Sequence, residues 1–210
     1  MASRPLPWLN PALVVGGLSP LVMMAVQGPR GDLGPNAVEA ALNQTGLFAL
    51  VLLVASLACT PLRLVFKWTW PARIRRTLGL LAFTYAASHF LVYAVLDQGL
   101  KLGGILEDIG KRPFITVGFT ALVLLVPLAV TSTNAWVRRL GFPRWQRLHR
   151  LAYVAAVLGV VHFVWRVKKD VTEPLIYAAV LGLLFAIRAA EAVRKRRARD
   201  AVAARSAASP

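Results

Sequence analysis

Six mainly apolar stretches, separated by short charged connections, constrain this chain more than any other feature. They run over roughly 9–26, 46–66, 77–96, 114–131, 148–165 and 174–190. At about 1.5 Å of rise per residue, stretches of about 20 residues cross a hydrocarbon core as helices. The apolar residues run continuously and do not alternate, which argues against a membrane β-barrel. The first stretch contains Gly16, Gly17 and Pro20, has only Arg4 as a charged head, and is followed by no small-residue cleavage site. It reads as a retained helix, not a cleaved signal peptide. The expected fold is all-α: one integral membrane bundle of six transmembrane helices over 1–210, with a basic tail over 191–210.

Composition supports this and removes other classes. With 57% hydrophobic and 16% charged residues, the chain is too apolar for disorder. One cysteine, Cys59, cannot make a disulfide scaffold and sits in an apolar stretch, where it reads as packing. The net charge of +16 would suit a nucleic-acid binder, but a mean hydropathy of +0.59 does not. No nucleic-acid partner is expected.

The charge is instead sorted by side. Only seven of the 25 Lys and Arg (Arg30, Lys101, Lys111, Arg112, Arg166, Lys168 and Lys169) fall in the connections of one side. Acidic residues match them in number there. The other side holds both chain ends and the connections after the second and fourth stretches, and carries the whole basic excess. The positive-inside rule then makes both termini cytoplasmic. The basic run Arg194–Arg199 suits an anchor to anionic membrane lipid. All six tryptophans fall near predicted helix ends or in adjoining loops, where indole meets the headgroups.

Three histidines carry the chemistry: His89 in the third stretch, and His149 and His162 at the start and toward the end of the fifth. An ionisable group at membrane depth is costly and functional by default. Taken singly, such a histidine also serves as an interhelical hydrogen bond. As a pair, His89 and His162 lie at equal depth on helices running the same way, and could ligate one metal centre axially. Haem fits best, as an apolar macrocycle that takes axial histidines. Zinc lacks further ligands at that depth. Small residues (Gly79, Ala82, Ala86, Ala87, Ala155, Ala156 and Gly159) leave room there. His149 lies roughly 20 Å nearer the basic side on a continuous helix. It could ligate a second haem alone, touch a flavin or quinone, or be an interfacial residue. A small transporter or proton relay is the reading from another class, but no convincing internal repeat supports it.

Several short motifs accompany the histidines: Thr60-Pro61-Leu62-Arg63, Arg76-Thr77-Leu78-Gly79-Leu80 leading to Tyr85 and His89, Thr131-Ser132, and Trp145 with Leu148-His149-Arg150-Leu151 and Tyr153. With histidines on the third and fifth of six helices, the chain resembles the ferric reductase-like transmembrane domain family. Within that family it is similar to the haem-binding membrane subunits of periplasmic methionine sulfoxide reductase systems. The resemblance implies haem b on His89 and His162, FMN as a further cofactor, and electrons drawn from the respiratory quinone pool. It implies a periplasmic molybdopterin enzyme of the MsrP type as partner, which reduces methionine sulfoxide in proteins. This chain would then be an electron-transfer subunit with no catalytic residue of its own, in a bacterial inner membrane. Arg75, Arg76, Arg147 and Arg150 would hold the FMN phosphate, since guanidinium forks match phosphate. The wider family's second helix-three histidine is replaced here by Arg75 and Arg76. No dinucleotide fingerprint is present, so a separate electron donor is expected, which argues against the alternative of a self-sufficient ferric reductase.

Overall fold

A computed structural model describes residues 8–167 and 169–207. Arg4 and Lys168 of the charge count, and the last residues of the tail, lie outside them. Among the described residues every regular element is helical. The elements are α1 (Leu9–Arg30), α2 (Ala37–Phe66), α3 (Pro71–Leu91), a π-helical turn (Val92–Asp97), α4 (Leu102–Lys111), α5 (Pro113–Val130), α6 (Asn134–Leu140), α7 (Phe142–Leu148), α8 (Leu151–Arg166) and α9 (Thr172–Ala207). Six segments are long and apolar enough to cross a membrane, as expected: 9–30, 37–66, 71–97, 113–130, 142–166 and 172–203.

The boundaries differ from the hydropathy runs for identifiable reasons. α2 starts at Ala37, not near 46, because Asn36 caps it. The Asn36 side chain accepts from the Glu39 backbone N–H at 3.2 Å and donates to the Glu39 carboxylate at 3.0 Å. Its early turns carry Asn43 and Gln44, which border a cavity between the helices. The fifth stretch, expected over 148–165, is α8, and His149 does not open it: His149 and Arg150 form a turn between α8 and a separate short helix, α7. Gly141, with φ 72° and ψ 145°, lets the chain turn from α6 into α7, in a region that only glycine adopts freely. α9 runs past the expected end at 190, because its Ala/Arg-rich continuation favours helix and Glu191 pairs with Arg194 at 2.6 Å and Lys195 at 3.5 Å.

α2 is the centre of the bundle. Leu50, Leu53, Val54 and Leu57 pack with Ala82 of α3, Leu125 and Leu128 of α5, Ala155, Ala156 and Val160 of α8, and Leu181 and Leu184 of α9. Outward-facing positions such as Val22, Leu91, Val126, Val157 and Leu183 are apolar and exposed, as a lipid-facing belt requires. Lipid tails are as apolar as leucine, so close packing and interhelical hydrogen bonds hold such a bundle. The Tyr85 hydroxyl donates to the Gly17 carbonyl at 2.7 Å, tying α3 to α1. The Ser56 hydroxyl donates to the Arg75 carbonyl at 3.0 Å, tying α2 to α3.

A third tie follows from Pro61. Proline has no N–H, so the Leu57 carbonyl four residues earlier loses its helical partner. Arg188 of α9 supplies one, donating to it at 2.7 Å while its other arm donates to the Tyr153 hydroxyl of α8 at 2.7 Å. One guanidinium therefore joins α2, α8 and α9. Arg188→Met strands that carbonyl, and is expected to lower stability by about 1–3 kcal/mol. Thermal unfolding of the detergent-solubilised protein reads this directly. An unchanged midpoint would mean that the tie contributes nothing.

Candidate functional site

His89 and His162 meet inside the bundle. Their ring centroids are 6.1 Å apart and their planes are nearly perpendicular, at 81°. Both line a cavity of about 630 Å³ between α2, α3, α5 and α8, within the size range of cofactor pockets.

Each ring is docked on a neighbouring helix in the same way. His89 Nδ1 lies 3.0 Å from the Leu42 carbonyl oxygen on α2 and 3.3 Å from the Thr45 hydroxyl. His162 Nδ1 lies 2.7 Å from the Phe114 carbonyl oxygen on α5. A carbonyl only accepts, so Nδ1 carries the proton in both rings. Each Nε2 is left with its lone pair, as in histidines whose second nitrogen binds a metal.

Two glycines make this docking possible. Gly46 stands four residues after Leu42, and Gly118 four after Phe114, so each lies one turn beyond the accepting carbonyl on the same helix face. A Cβ on Gly46 would stand 3.1 Å from His89 Nδ1, and one on Gly118 only 2.7 Å from His162 Nδ1. The space the histidines need thus comes from α2 and α5. Of the small residues singled out in the sequence, Ala86, Ala155 and Gly159 line this cavity. Ala82 and Ala156 are buried in the core, and Gly79 lines a different cavity.

That second cavity, of about 290 Å³, lies toward the basic end. His149 lines it with Arg75, Arg76, Trp145, Ser132 and Asn134. Leu53 and Leu125 border both cavities, so one layer of side chains divides them. Trp145, one turn before His149, stacks on its ring at 4.0 Å between centroids. The Trp145 indole N–H donates to the Thr131 carbonyl at 2.9 Å. His149 Nε2 lies 3.1 Å from the Thr131 hydroxyl, which itself donates to the Pro127 carbonyl at 2.6 Å. With that proton committed, His149 donates from Nε2 and keeps its lone pair on Nδ1.

Of the four arginines grouped in the sequence, the structure brings only two to this cavity. Arg75 and Arg76 line it, whereas Arg147 and Arg150 are exposed and outside the lining. Arg76 donates to the Asn134 side chain at 3.2 Å, and Arg75 reaches Thr60 at 3.5 Å. Among the described residues no three His, Cys, Asp or Glu side chains gather as a set for a bare metal ion.

With this geometry, comparison with known proteins is specific. Residues 41–160 match the family described as ferric reductase like transmembrane component. The chain belongs to that family. Within it, the near relatives carry the name protein-methionine-sulfoxide reductase heme-binding subunit MsrQ. One from Deinococcus radiodurans is 53% identical over 186 residues, covering 88% of this chain and 92% of the relative. One from Rhodospirillum rubrum is 54% identical, covering 89% of each. One from Herminiimonas arsenicoxydans is 43% identical, covering 92% of this chain and 90% of the relative. No solved structure matches with significance. The matched segment contains most of α2, all of α3 and α5 and most of α8, and so both histidine-docking glycines, His89 and His149; His162 lies just beyond it.

Proposed function

We propose that this chain is the haem-binding membrane subunit of a methionine sulfoxide reductase system. In this reading His89 and His162 hold one haem b, and electrons pass from the quinone pool to a periplasmic MsrP-type molybdopterin enzyme. One observation carries it: two imidazoles share a cofactor-sized cavity, each with Nδ1 tied to a carbonyl and Nε2 free.

The donor set fits haem: two nitrogens are too few to close a four-ligand protein site, whereas a porphyrin brings four nitrogens of its own and would need only the two that His89 and His162 offer. Bound there, haem supplies a one-electron carrier. The chain's own residues orient the rings and set the charge around the site.

The basic end is taken as cytoplasmic by the positive-inside rule, in a bacterial inner membrane. The His89–His162 site then lies in the periplasmic half, and the His149 cavity on the electron-entry side. Arg75 and Arg76 would receive the FMN phosphate there on their guanidinium forks. Arg147 and Arg150 would assist from outside the cavity. His149 Nδ1 is available to a second haem, a flavin or a quinone.

The test uses the purified protein in liposomes under anaerobic conditions. A quinol should reduce a b-type chromophore, and an MsrP-type enzyme with methionine sulfoxide should reoxidise it. A chromophore that a quinol reduces but methionine sulfoxide turnover leaves reduced would retain the haem and refute the partner.

A further inference from the structure

The outer mouth of the larger cavity carries charged side chains of both signs. Five charged side chains line it: Arg112, Arg166, Asp97, Asp170 and Glu173. Arg112 pairs with Asp108 at 3.1 Å, and the Tyr93 hydroxyl holds the same carboxylate at 2.9 Å. Asp170 caps α9, accepting from the Thr172 backbone N–H at 2.9 Å. Hydrogen bonds from the Thr172 side chain and backbone hold its carboxyl below the usual range. Arg166 stands apart. It is half-buried and makes no hydrogen bond or ion pair with any described residue.

Its position is specific. Arg166 follows His162 by four residues on α8, so it lies one turn outward on the same face. It lines the same cavity as both histidines. Arg166 is the last residue of α8, whereas Asp170 and Glu173 lie in the connection to α9 and in its first turn. A half-buried guanidinium that pairs with none of these carboxylates can offer its fork to an anionic group of a ligand in the cavity.

We propose that Arg166 anchors a carboxylate of the ligand held between His89 and His162, which orients the ligand's polar edge toward the outer mouth. The proposal rests on the haem reading above, because haem carries two carboxylates on one edge. Arg166 is a positioning residue. Its charge stabilises the reduced form of the site, since an added electron is attracted to a nearby cation. Planar guanidinium matches a carboxylate with two parallel hydrogen bonds, so lysine keeps the charge but not the fork.

The test is a spectroelectrochemical titration of the purified holoprotein, wild type against Arg166→Gln and Arg166→Lys, with haem content measured for each. Arg166→Gln is expected to retain most of its haem. Its reduced-to-oxidised ratio at fixed potential should fall about tenfold, which is about 59 mV for one electron. Arg166→Lys is expected to stay near the wild-type potential. Equal potentials in wild type and Arg166→Gln overturn the proposal, as does an equal drop in both variants. Should Arg166→Gln not accumulate, Arg166→Lys decides alone, and a drop there overturns the proposal. A wild-type protein without b-type haem defeats the functional reading itself, an outcome the same spectra separate from the others.

Discussion

His89→Ala and His162→Ala are each expected to abolish the haem shared by α3 and α8, with the protein still inserted and folded. The two rings are the only nitrogen ligands at that depth, and each is fixed by a different helix through Leu42 and Phe114. Removing either leaves one axial position without a donor in a cavity lined mainly by apolar residues. His149→Ala acts on a separate cavity beyond Leu53 and Leu125, and should leave this haem in place. Haem-to-protein ratios of the three purified variants, with their thermal stability, read the result. Full haem content in both His89→Ala and His162→Ala would refute the pairing. Equal loss in His149→Ala would refute the division into two sites.

Gly118→Ala is expected to have an effect far beyond the one carbon it adds. The new Cβ would lie 2.7 Å from His162 Nδ1 and 2.8 Å from Cε1, closer than real Cβ contacts come. The ring cannot slide away without loosening its 2.7 Å bond to Phe114. The substitution therefore disturbs the ligand and the bond that orients it together. Loss of such orienting contacts typically weakens metal binding by about 10–100-fold, and a loss of haem affinity of that order is expected here. Gly46→Ala should act in the same direction but more weakly, because its Cβ would stand 3.1 Å from the His89 ring. Gly159→Ala, also on the cavity wall, is the control: its nearest neighbour would be Leu50 at an ordinary 3.5 Å. Haem titration of the three variants should rank them in that order. Similar affinity in Gly118→Ala and Gly159→Ala would show that His162 is not held against α5.

Hydropathy and charge were enough to read the six helices, because lipid demands long continuous apolar runs and leaves few alternatives. The meeting of His89 and His162 was legible from equal depth on two parallel helices. Their docking partners were not. Leu42 and Phe114 act through backbone carbonyls, which any residue carries, and Gly46 and Gly118 act through an absent side chain. The usable signal is the spacing: an accepting carbonyl one turn before a glycine, twice, on the two helices that flank the histidines. The start of α2 was hidden because Asn43 and Gln44 lower its hydropathy while facing a cavity. The short helix α7 before His149 was hidden because Arg144, Gln146 and Arg147 interrupt its apolar residues. The grouping of Arg147 and Arg150 with Arg75 and Arg76 rested on their shared place at the basic face near His149, which does not say which of them line the cavity there. The π-helical turn at Val92–Asp97 and the surface helix α4 lack a sequence signal as strong as the spans.

The central claim is that one iron is held by two neutral imidazoles, from His89 and His162. Electron paramagnetic resonance of the oxidised purified protein, combined with its near-infrared magnetic circular dichroism, tests this most directly. The account predicts a six-coordinate low-spin haem with bis-imidazole ligation, lost in His89→Ala and in His162→Ala. A high-spin five-coordinate haem in the wild type, or a low-spin signal that survives both substitutions, would contradict it.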